Sequence, residues 1–517
     1  MKTSTLGRFS QIPWMPEKSQ WRSKRIFSQN PKLLPTAQVQ NDEQSLTPEA
    51  VLAMREWQYD PRTSGTTFRN HISTAAQFKV ERAIRTKSEL DDAFFFTSQQ
   101  CISEAYKLCE LSSNRRVLVL DVNSMFPWIL KTAKFPDPSK LKLERSATLK
   151  QRIEDGEIDN GMFLCRVKYK TQHANSLNEF APIFCGIKGA SVAVAQSKEE
   201  QFALWLHCCE IKSLLPYADI DVSMGIFSSE SIAHPLRTWV DKGYAQKQRS
   251  TGSARDVAKD ALTTLHCCTL TRKTTQTEWL TQEDVEEVFS EKFLSEPFEK
   301  QNYAQTIDQD DKGRCKLRIY DQRNPKNIYS LSSCVFAQAR AKMFDLIMHT
   351  RKMSNVRICY SNIDSLHLSV DSDAVQTTLE HIGKYQPVGQ GLGELKLECN
   401  AKHGVWFDAG VYWLFDEDMK VMKFATIDSD AAAPLKTRAK YNYECPITGI
   451  QKQASMPLFK SLSQSKMLDK AHNWIRPTLK QATQSESAMA NTRTGQIKEI
   501  VRIFKKIRSE NKANFVA

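Results

Sequence analysis

The sequence predicts a mixed α+β fold, and three stretches carry that prediction. The stretch VRICYSNIDSLHLSV (356–370) alternates apolar and polar residues on both sides of a short polar break, which is typical of a β-hairpin. The run VLVL (117–120) is continuously apolar, as expected of a strand that is buried on both faces. The stretch LSSCVFAQARAKMFDLIMH (331–349) repeats apolar residues at helical spacing and predicts a long helix.

The bulk composition is that of a folded, basic protein. Of its 517 residues, 41% are hydrophobic and 25% are charged, which is ordinary for a globular chain. A chain of this length has room for roughly two to four domains. The formal net charge of +13 predicts an acidic partner, and nucleic acid is the commonest one. No apolar run is long enough to span a bilayer, so we expect no membrane partner.

The 13 cysteines show no C-x-x-C pair and no zinc-ribbon spacing. They therefore predict reduced thiols in an intracellular, reducing compartment. The letters HCC occur at 207–209 and again at 266–268, but neighbouring side chains on a helix or strand point in different directions. One metal ion could not collect all three, and we interpret the repeat as a coincidence.

The first half of the chain is predicted to run from a loose extension into a strand. Residues 1–77 are rich in Pro, Ser and Gln and predict a basic, poorly ordered extension. A helical pattern follows over 78–112, in which the apolar residues include Phe78, Val80, Ala83, Ile102, Ala105 and Leu108. The strand at 117–120 ends at Asp121, and SMFPWILKTA (124–133) predicts the helix after it.

Composition divides the remainder into four segments. Residues 78–240 form the helical lead-in and the first part of a sheet domain with an insertion, and residues 241–275 form a basic region that becomes helical from about Ser253. Residues 276–400 form a charged, loop-rich insertion followed by the second part of the sheet domain. Residues 401–517 form a terminal region with a basic amphipathic helix over 493–512.

Charged residues stand at the ends of the predicted strands and on the basic helix. Asp121 and Asp364 each lie at the edge of a buried strand, and Arg255 and Lys259 are four apart and therefore on one helical face. Lys247 lies just upstream of that helix. Two carboxylates can hold a pair of Mg²⁺ ions about 3.5–4 Å apart, and a helix with cations on one face can bind a triphosphate. The simpler alternatives are turn chemistry for Asp364 and a solvated face for the cations.

Two short motifs resemble those of family B DNA polymerases. DVNSMFP (121–127) resembles motif A, D-x-x-S-L-Y-P, and YSNIDS (360–365) resembles motif C, Y-x-D-T-D-S. The protein-primed subgroup of phages and linear plasmids is the most similar. KDALTTLH (259–266) lies where that family carries motif B, K-x-x-x-N-S-x-Y-G. The supporting similarities are CVFAQAR (334–340), to a T-x-x-A-R segment, and GELKLE (393–398), to the lead into the thumb.

The resemblance implies a right-hand polymerase fold, with palm, inserted fingers and thumb behind the N-terminal extension, and template-directed DNA synthesis. It implies two Mg²⁺ ions, with Mn²⁺ as a substitute, and as partners primer-template DNA, dNTPs, and a terminal protein or a separate processivity or exonuclease subunit. The residues carried over are Asp121 and Asp364 as catalytic; Asp121, Val122 and Asp364 as metal ligands; Ser124, Phe126, Lys247, Arg255, Lys259 and Tyr360 for the nucleotide; and Arg340 and Tyr412 for DNA.

Several positions depart from the family pattern. Asn362 and Ile363 replace the first Asp and the Thr of motif C, and Gly410 replaces the thumb lysine of K-x-Y. Motif B has lost its Asn, Ser, Tyr and Gly, and Phe126 replaces the motif A tyrosine but keeps the bulk that would exclude a ribose 2′-hydroxyl. No credible D-x-E precedes Asp121, so we expect no proofreading activity in this chain.

The departures leave two further functions open. One is a nucleic-acid-binding protein on a catalytically weakened polymerase fold, and the other is an unrelated two-metal nuclease that uses the same aspartates. The resemblance also implies a location in the cytoplasm of a phage or plasmid host. The first 40 residues contain seven Lys and Arg and one acidic residue, which is similar to a mitochondrial transit segment. The mitochondrial matrix is therefore the alternative location.

Overall fold

The computed structural model describes residues 39–40, 47–97, 101, 103–107, 109–173, 202–266, 268, 273–280, 303–309, 315–321, 326–408, 411–426, 438–444 and 451–457. The helices in these ranges are α1 Pro48–Arg55, α2 Phe68–Ala83, α3 Met125–Thr132, α4 Leu149–Glu154, α5 Cys208–Leu214, α6 Arg237–Arg249, α7 Gly252–Leu265, α8 Tyr329–Thr350 and α9 Val375–Tyr385. Short 3-10 helices cover Glu89–Thr97, Thr171–His173 and Ser372–Ala374.

The strands in the described ranges are β1 Val39–Gln40, β2 Ser103–Ala105, β3 Cys109–Glu110, β4 Arg115–Val122, β5 Lys134–Pro136, β6 Leu141–Glu144, β7 Met162–Tyr169, β8 Phe202–His207, β9 Ala218–Ser228, β10 Ser231–Ala233, β11 Lys273–Leu280, β12 Tyr303–Gln309, β13 Cys315–Asp321, β14 Val356–Asn362, β15 Ser365–Asp371, β16 Leu395–Ala401, β17 His403–Asp408, β18 Val411–Phe415, β19 Val421–Thr426, β20 Arg438–Glu444 and β21 Gln451–Pro457. Helices and sheets are mixed throughout, and the pairings between these strands are antiparallel, as the α+β prediction requires.

A five-stranded sheet lies at the centre, in the order β16-β4-β15-β14-β2. The predicted hairpin is confirmed, because β14 pairs with β15 from Val356 opposite Val370 to Asn362 opposite Ser365. The predicted strand is also confirmed as β4, whose residues 117–120 are all 0% exposed. β4 and β15 are therefore neighbours in the middle of the sheet, and their adjacent ends meet.

The central sheet is covered on both faces. Leu118 and Leu120 point towards a core built with helices α1, α2, α3, α6, α7, α8 and α9. Val117 and Val119 point the other way and pack with Trp406 from a four-stranded sheet in the order β19-β18-β17-β3. Because successive side chains on a strand alternate between faces, a continuous apolar run suits a strand enclosed in this way.

A second four-stranded sheet, in the order β6-β9-β7-β8, forms a core of its own with α4 and α5. Helix α8 joins the two cores, since Met343 and Ile347 belong to the first and Phe344 and Met348 to the second. The long helix predicted from its spacing is confirmed. It is, however, buried nearly all round rather than on one face, because it lies between two packed units.

Three expectations for the local structure are wrong. The extension predicted for residues 1–77 contains α1 and the start of α2 from residue 48 on, and both helices pack into the main core. Their signals were present, because the side chains of Thr47 and Thr67 accept hydrogen bonds from the backbone N–H groups of Ala50 and Asn70 as N-caps. The last part of the helical pattern predicted over 78–112 contains the short strands β2 and β3 instead, and the loop-rich insertion contains the sheet β11-β13-β12.

Two predicted features lie outside the described residues, namely most of the basic N-terminal arm and the amphipathic helix over 493–512. Within the described part of the chain, no helix combines the length and apolar character needed to cross a membrane.

Candidate active site

The two predicted carboxylates are brought together at the ends of β4 and β15. Asp121 lies opposite Ser365 in the sheet, and Asp364 is the residue before Ser365. The backbone N–H of Val122 donates a hydrogen bond to the carbonyl oxygen of Asp364 over 2.8 Å. The turn of the hairpin is thus tied directly to the end of the neighbouring strand.

The turn that carries Asp364 is strained at the residue before it. Ile363 has a φ of +59°, in the left-handed region that a β-branched residue adopts at a cost of about 1–2 kcal/mol. The N–H of Asp364 donates to the carbonyl oxygen of Asn362 over 2.7 Å and closes a tight turn around Ile363. Turn chemistry alone would place Asp or Asn in the left-handed position, whereas here an isoleucine occupies it. The turn therefore does not by itself account for Asp364.

The electrostatics of the two carboxylates favour a bound cation. Burial raises the pKa of Asp121, and the negative charges of Asp364 and Glu398 raise it further. Burial also raises the pKa of Asp364, again with a contribution from Glu398. Lysines oppose the rise, chiefly Lys423 for Asp121 and Lys259 for Asp364. Like charges held this close are costly in a partly buried site unless a cation lies between them.

The donor set suits Mg²⁺. Among the residues that the structure describes, no group of three or more His, Cys, Asp or Glu side chains is arranged to hold a metal. Mg²⁺, however, commonly uses only one or two carboxylates, and waters and substrate phosphates complete its shell. The carboxylates of Asp121 and Asp364 are oxygen donors of this kind, and their role as metal ligands, like that of the Val122 carbonyl, stays a prediction.

Glu398 is a third acidic residue of the site, and the motifs did not single it out. It lies at an irregularity of β16 between Leu397 and Cys399, where the register against β4 shifts. It pairs with Lys423 of β19 and with Lys396, whose Nζ is 3.5 Å away. Burial raises its pKa, but the hydrogen bonds and charges of these two lysines lower the pKa overall. The shift in register is a tertiary feature that the alternation in GELKLE does not reveal.

Lys247 reaches the start of α3 from helix α6. Its Nζ lies 2.9 Å from Oδ1 of Asn123 and 3.0 Å from Oγ of Ser124. Asn123 is itself fixed, because its Nδ2 donates to the carbonyl oxygens of Gln390 and Gly391 over 2.6 and 3.0 Å. Ser124 has a φ of +57°, so the turn after Asp121 is strained as well.

Arg255 and Lys259 project from α7, and we call these two residues and Lys247 the cationic cluster. Burial lowers the pKa of Lys247, and the positive charges of Arg255 and Lys259 lower it further. The charge of Asp121 opposes that shift. Arg255 and Lys259 are therefore near enough to act on Lys247, Lys247 is near Asp121 and Lys259 is near Asp364, and their binding of a triphosphate stays a prediction. Lys247 belongs to a helix of its own, α6, rather than to the polar approach that the sequence indicated.

Phe126 packs against an aromatic side chain of α7's C-terminal end. Its ring is stacked on His266, with centroids 4.2 Å apart and planes inclined by 19°. The ring of Phe336 meets Phe126 edge-on at 5.6 Å. Burial lowers the pKa of His266 to about 4, so the imidazole is neutral at pH 7. His266 stands where motif B has its tyrosine, and it supplies a ring in the same segment.

Two predicted contact residues are enclosed in the protein. Arg340 is 3% exposed, and its Nε lies 2.8 Å from Oε1 of the buried Glu210, so its side chain is paired inside the protein and its contact with DNA stays a prediction. Tyr360 is 0% exposed and packs against His367 and Tyr412 in the core between the two sheets, and its contact with the nucleotide also stays a prediction.

Tyr412 is 8% exposed, and its ring belongs to the core between the two sheets. Burial and the nearby charges of Glu398, Cys399 and Asp121 raise the pKa of its hydroxyl. The hydroxyl therefore lies on the carboxylate side, and its contact with DNA stays a prediction.

No protein-family model and no curated protein sequence matches the chain. Solved structures of phi29 DNA polymerase are similar to it. The complex with primer-template DNA and incoming nucleotide substrates is 13% identical, covers 74% of this chain and 59% of the other, and has a TM-score of 0.47. The post-translocation binary complex with primer-template DNA is 15% identical, covers 73% and 60%, and has a TM-score of 0.48.

A family B DNA polymerase from the hyperthermophilic archaeon Pyrobaculum calidifontis is 10% identical, with 73% of this chain and 36% of the other covered and a TM-score of 0.29. The chain spans 57–60% of the length of the phi29 polymerase chains it matches. With TM-scores below 0.5, the likeness gives neither a family nor an activity for this chain.

Proposed function

We propose that this chain is a template-directed DNA polymerase that transfers nucleotides with two Mg²⁺ ions, for which Mn²⁺ can substitute. One observation carries the proposal: Asp121 and Asp364 meet at tied strand ends, and the charge of Asp121 acts on Lys247 while that of Lys259 acts on Asp364. Asp121, Asp364 and the carbonyl of Val122 would hold the ions. Bound Mg²⁺ would activate the attacking primer oxygen and stabilise the departing pyrophosphate.

The chain's own residues would position the triphosphate. Lys247, Arg255 and Lys259 supply positive charge on the side of the carboxylates where α6 and α7 lie, and Ser124 lies at the start of α3 beneath Lys247. Positive charge held in place before the reaction stabilises the charge that develops on the phosphates. Phe126 would lie under the incoming sugar. The partners are then dNTPs and primer-template DNA, and a terminal protein or a further subunit remains a prediction, as does the lack of proofreading.

Primer extension with labelled dNTPs and Mg²⁺ or Mn²⁺ tests the proposal. We expect template-dependent extension by the wild type and none by Asp364→Asn. Degradation of the primer would instead indicate a two-metal nuclease. DNA binding without either reaction would indicate a nucleic-acid-binding protein on a weakened polymerase fold.

We expect primer-template binding to depend strongly on salt. A chain with a net charge of +13 that contacts about six phosphates should lose roughly 10³-fold in affinity between 50 and 200 mM salt, because counterions are released on binding. The measurement is the slope of log K against log salt by fluorescence anisotropy. A flat slope would contradict binding to the phosphate backbone.

Phe126 should select the sugar of the incoming nucleotide. Phe126→Val removes the bulk that would clash with a 2′-hydroxyl, so the ratio of kcat/KM for dNTP to that for rNTP should fall by at least about 10-fold. Phe126→Tyr should leave the ratio unchanged. Phe336→Leu is the matched control, because it removes the ring that meets Phe126 edge-on while leaving the Phe126 side chain in place. An unchanged ratio in Phe126→Val would make Phe126 a core residue only.

A further inference from the structure

The residue before Lys247 is buried on the opposite side of helix α6. Gln246 is 1% exposed, and its Oε1 accepts a hydrogen bond from Nε1 of Trp57 over 2.8 Å. Its Nε2 donates to the carbonyl oxygen of Ala53 in α1 over 2.9 Å. Consecutive helical residues point about 100° apart, so Gln246 faces α1 while Lys247 faces the start of α3.

Trp57 holds the same side of α6 by packing. Its ring meets that of Trp239 edge-on, with centroids 5.5 Å apart. At Gly243, one turn from Gln246, a Cβ atom would lie 3.3 Å from Cζ2 of Trp57 and 2.9 Å from Cδ2 of Leu262. Helix α6 is thus packed closely against both Trp57 and α7 at Gly243, where a side chain would crowd Leu262.

Lys247 needs such support, because the groups that bind its ammonium nitrogen are neutral. Its Nζ contacts two neutral oxygens, from Asn123 and Ser124, and the attraction by Asp121 is opposed by repulsion from Arg255 and Lys259. For an atom about 6 Å from the helix axis, a rotation of about 20° is a displacement of about 2 Å. That displacement would break both contacts, so the rotation of α6 decides where the ammonium group lies.

We propose that Gln246 and Trp57 are positioning residues: their buried hydrogen bond, with that from Gln246 to Ala53, sets the rotation of α6 and holds Lys247 at Asn123 and Ser124. This inference rests on the proposed function, in which Lys247 binds the triphosphate. It gives helix α1 and the turn after it a role in nucleotide binding although neither carries a residue of the site.

The test replaces Gln246 with methionine, which keeps the length and removes both hydrogen bonds. The dNTP Kd is measured with Ca²⁺ and a dideoxy-terminated primer-template, which reports binding without turnover, and KM and kcat are measured with Mg²⁺. We expect Gln246→Met to raise the dNTP Kd and KM by about 10-fold with a smaller change in kcat. The Kd for primer-template should not change.

Asn160→Leu is the matched control for lost stability. Asn160 is 4% exposed, its Nδ2 donates to the carbonyl oxygen of Ser228 over 3.0 Å, and its Oδ1 accepts from the Ser228 N–H over 2.9 Å. Asn160→Leu therefore removes a comparable buried amide group, which lies next to a different sheet. Both variants should have a lower Tm, and only Gln246→Met should bind dNTP more weakly.

A double variant separates positioning from a general effect. Lys247→Ala with Gln246→Met should bind dNTP no more weakly than Lys247→Ala alone, since Gln246 acts through Lys247. Additive losses, or an unchanged dNTP Kd in Gln246→Met, would overturn the inference. Should Gln246→Met fail to fold, Trp57→Phe removes the indole donor together with part of the ring that packs on α6, and should shift the Kd in the same direction. If the wild type itself binds no dNTP, the proposed function falls and this inference falls with it, whereas normal binding by both proteins removes the inference alone.

Discussion

Asp121→Asn and Asp364→Asn should each lower nucleotide incorporation by at least about 10³-fold, because either change removes one of the two carboxylates that would hold the metal ions. The measurement is single-nucleotide extension of a labelled primer with Mg²⁺. DNA binding should stay within about 2-fold of the wild type, since the phosphate contacts supply most of that affinity. Asp137→Asn, a carboxylate that binds Ser139 in a surface loop, is the control and should keep full activity.

The same variants should fold more stably than the wild type in the absence of divalent ions. A carboxylate whose pKa is raised in the folded state destabilises that state when it is ionised at neutral pH. Its neutral replacement removes this cost, and a rise in Tm of about 1–3 °C is expected at pH 7 in EDTA. A fall in Tm together with a loss of activity would mean that the aspartates stabilise the folded protein and that activity is lost through unfolding. Near-normal extension by either variant would contradict the two-metal assignment.

Lys247→Ala should have the next largest effect, with kcat/KM for dNTP lowered by about 10²-fold. Its Nζ is the cation that contacts the turn after Asp121, so its loss should raise KM and also lower kcat as charge develops on the phosphates. Lys140→Ala changes the net charge equally in a surface loop, where Lys140 pairs with Glu230, and should leave both constants unchanged. Equal values of kcat and KM for the wild type and Lys247→Ala would mean that this lysine has only a structural role.

Lys259→Ala should show a smaller loss of the same kind. Lys259 is exposed on α7, where water screens its charge, whereas Lys247 is half-buried beside Asn123. The order of the two effects therefore distinguishes binding by the cationic cluster from a general effect of removing positive charge.

Much of the central sheet could be predicted because its signals are local. The alternation over 356–370 defines the hairpin, and the apolar run at 117–120 defines a strand buried on both faces, so both elements were placed correctly with Asp121 and Asp364 at their ends. Helix α8 was also found from its spacing. The helices α1 and α2 were missed although each begins with a threonine cap, because their apolar spacing is weak and their stability comes from packing on α7 and the main core.

By itself, the sequence determined which residues form β4, the hairpin and α8, and that an acidic residue ends each of the two strands. Only the tertiary structure decided which polar groups meet. It paired Arg340 with Glu210 inside the protein, enclosed Tyr360 in the core beside Tyr412, brought Glu398 towards the aspartates and placed Lys247 against Ser124 while Gln246 is held by Trp57. The reason is physical: periodicity reports which face of an element is buried, whereas a contact between side chains 123 or 189 positions apart depends on how the elements pack.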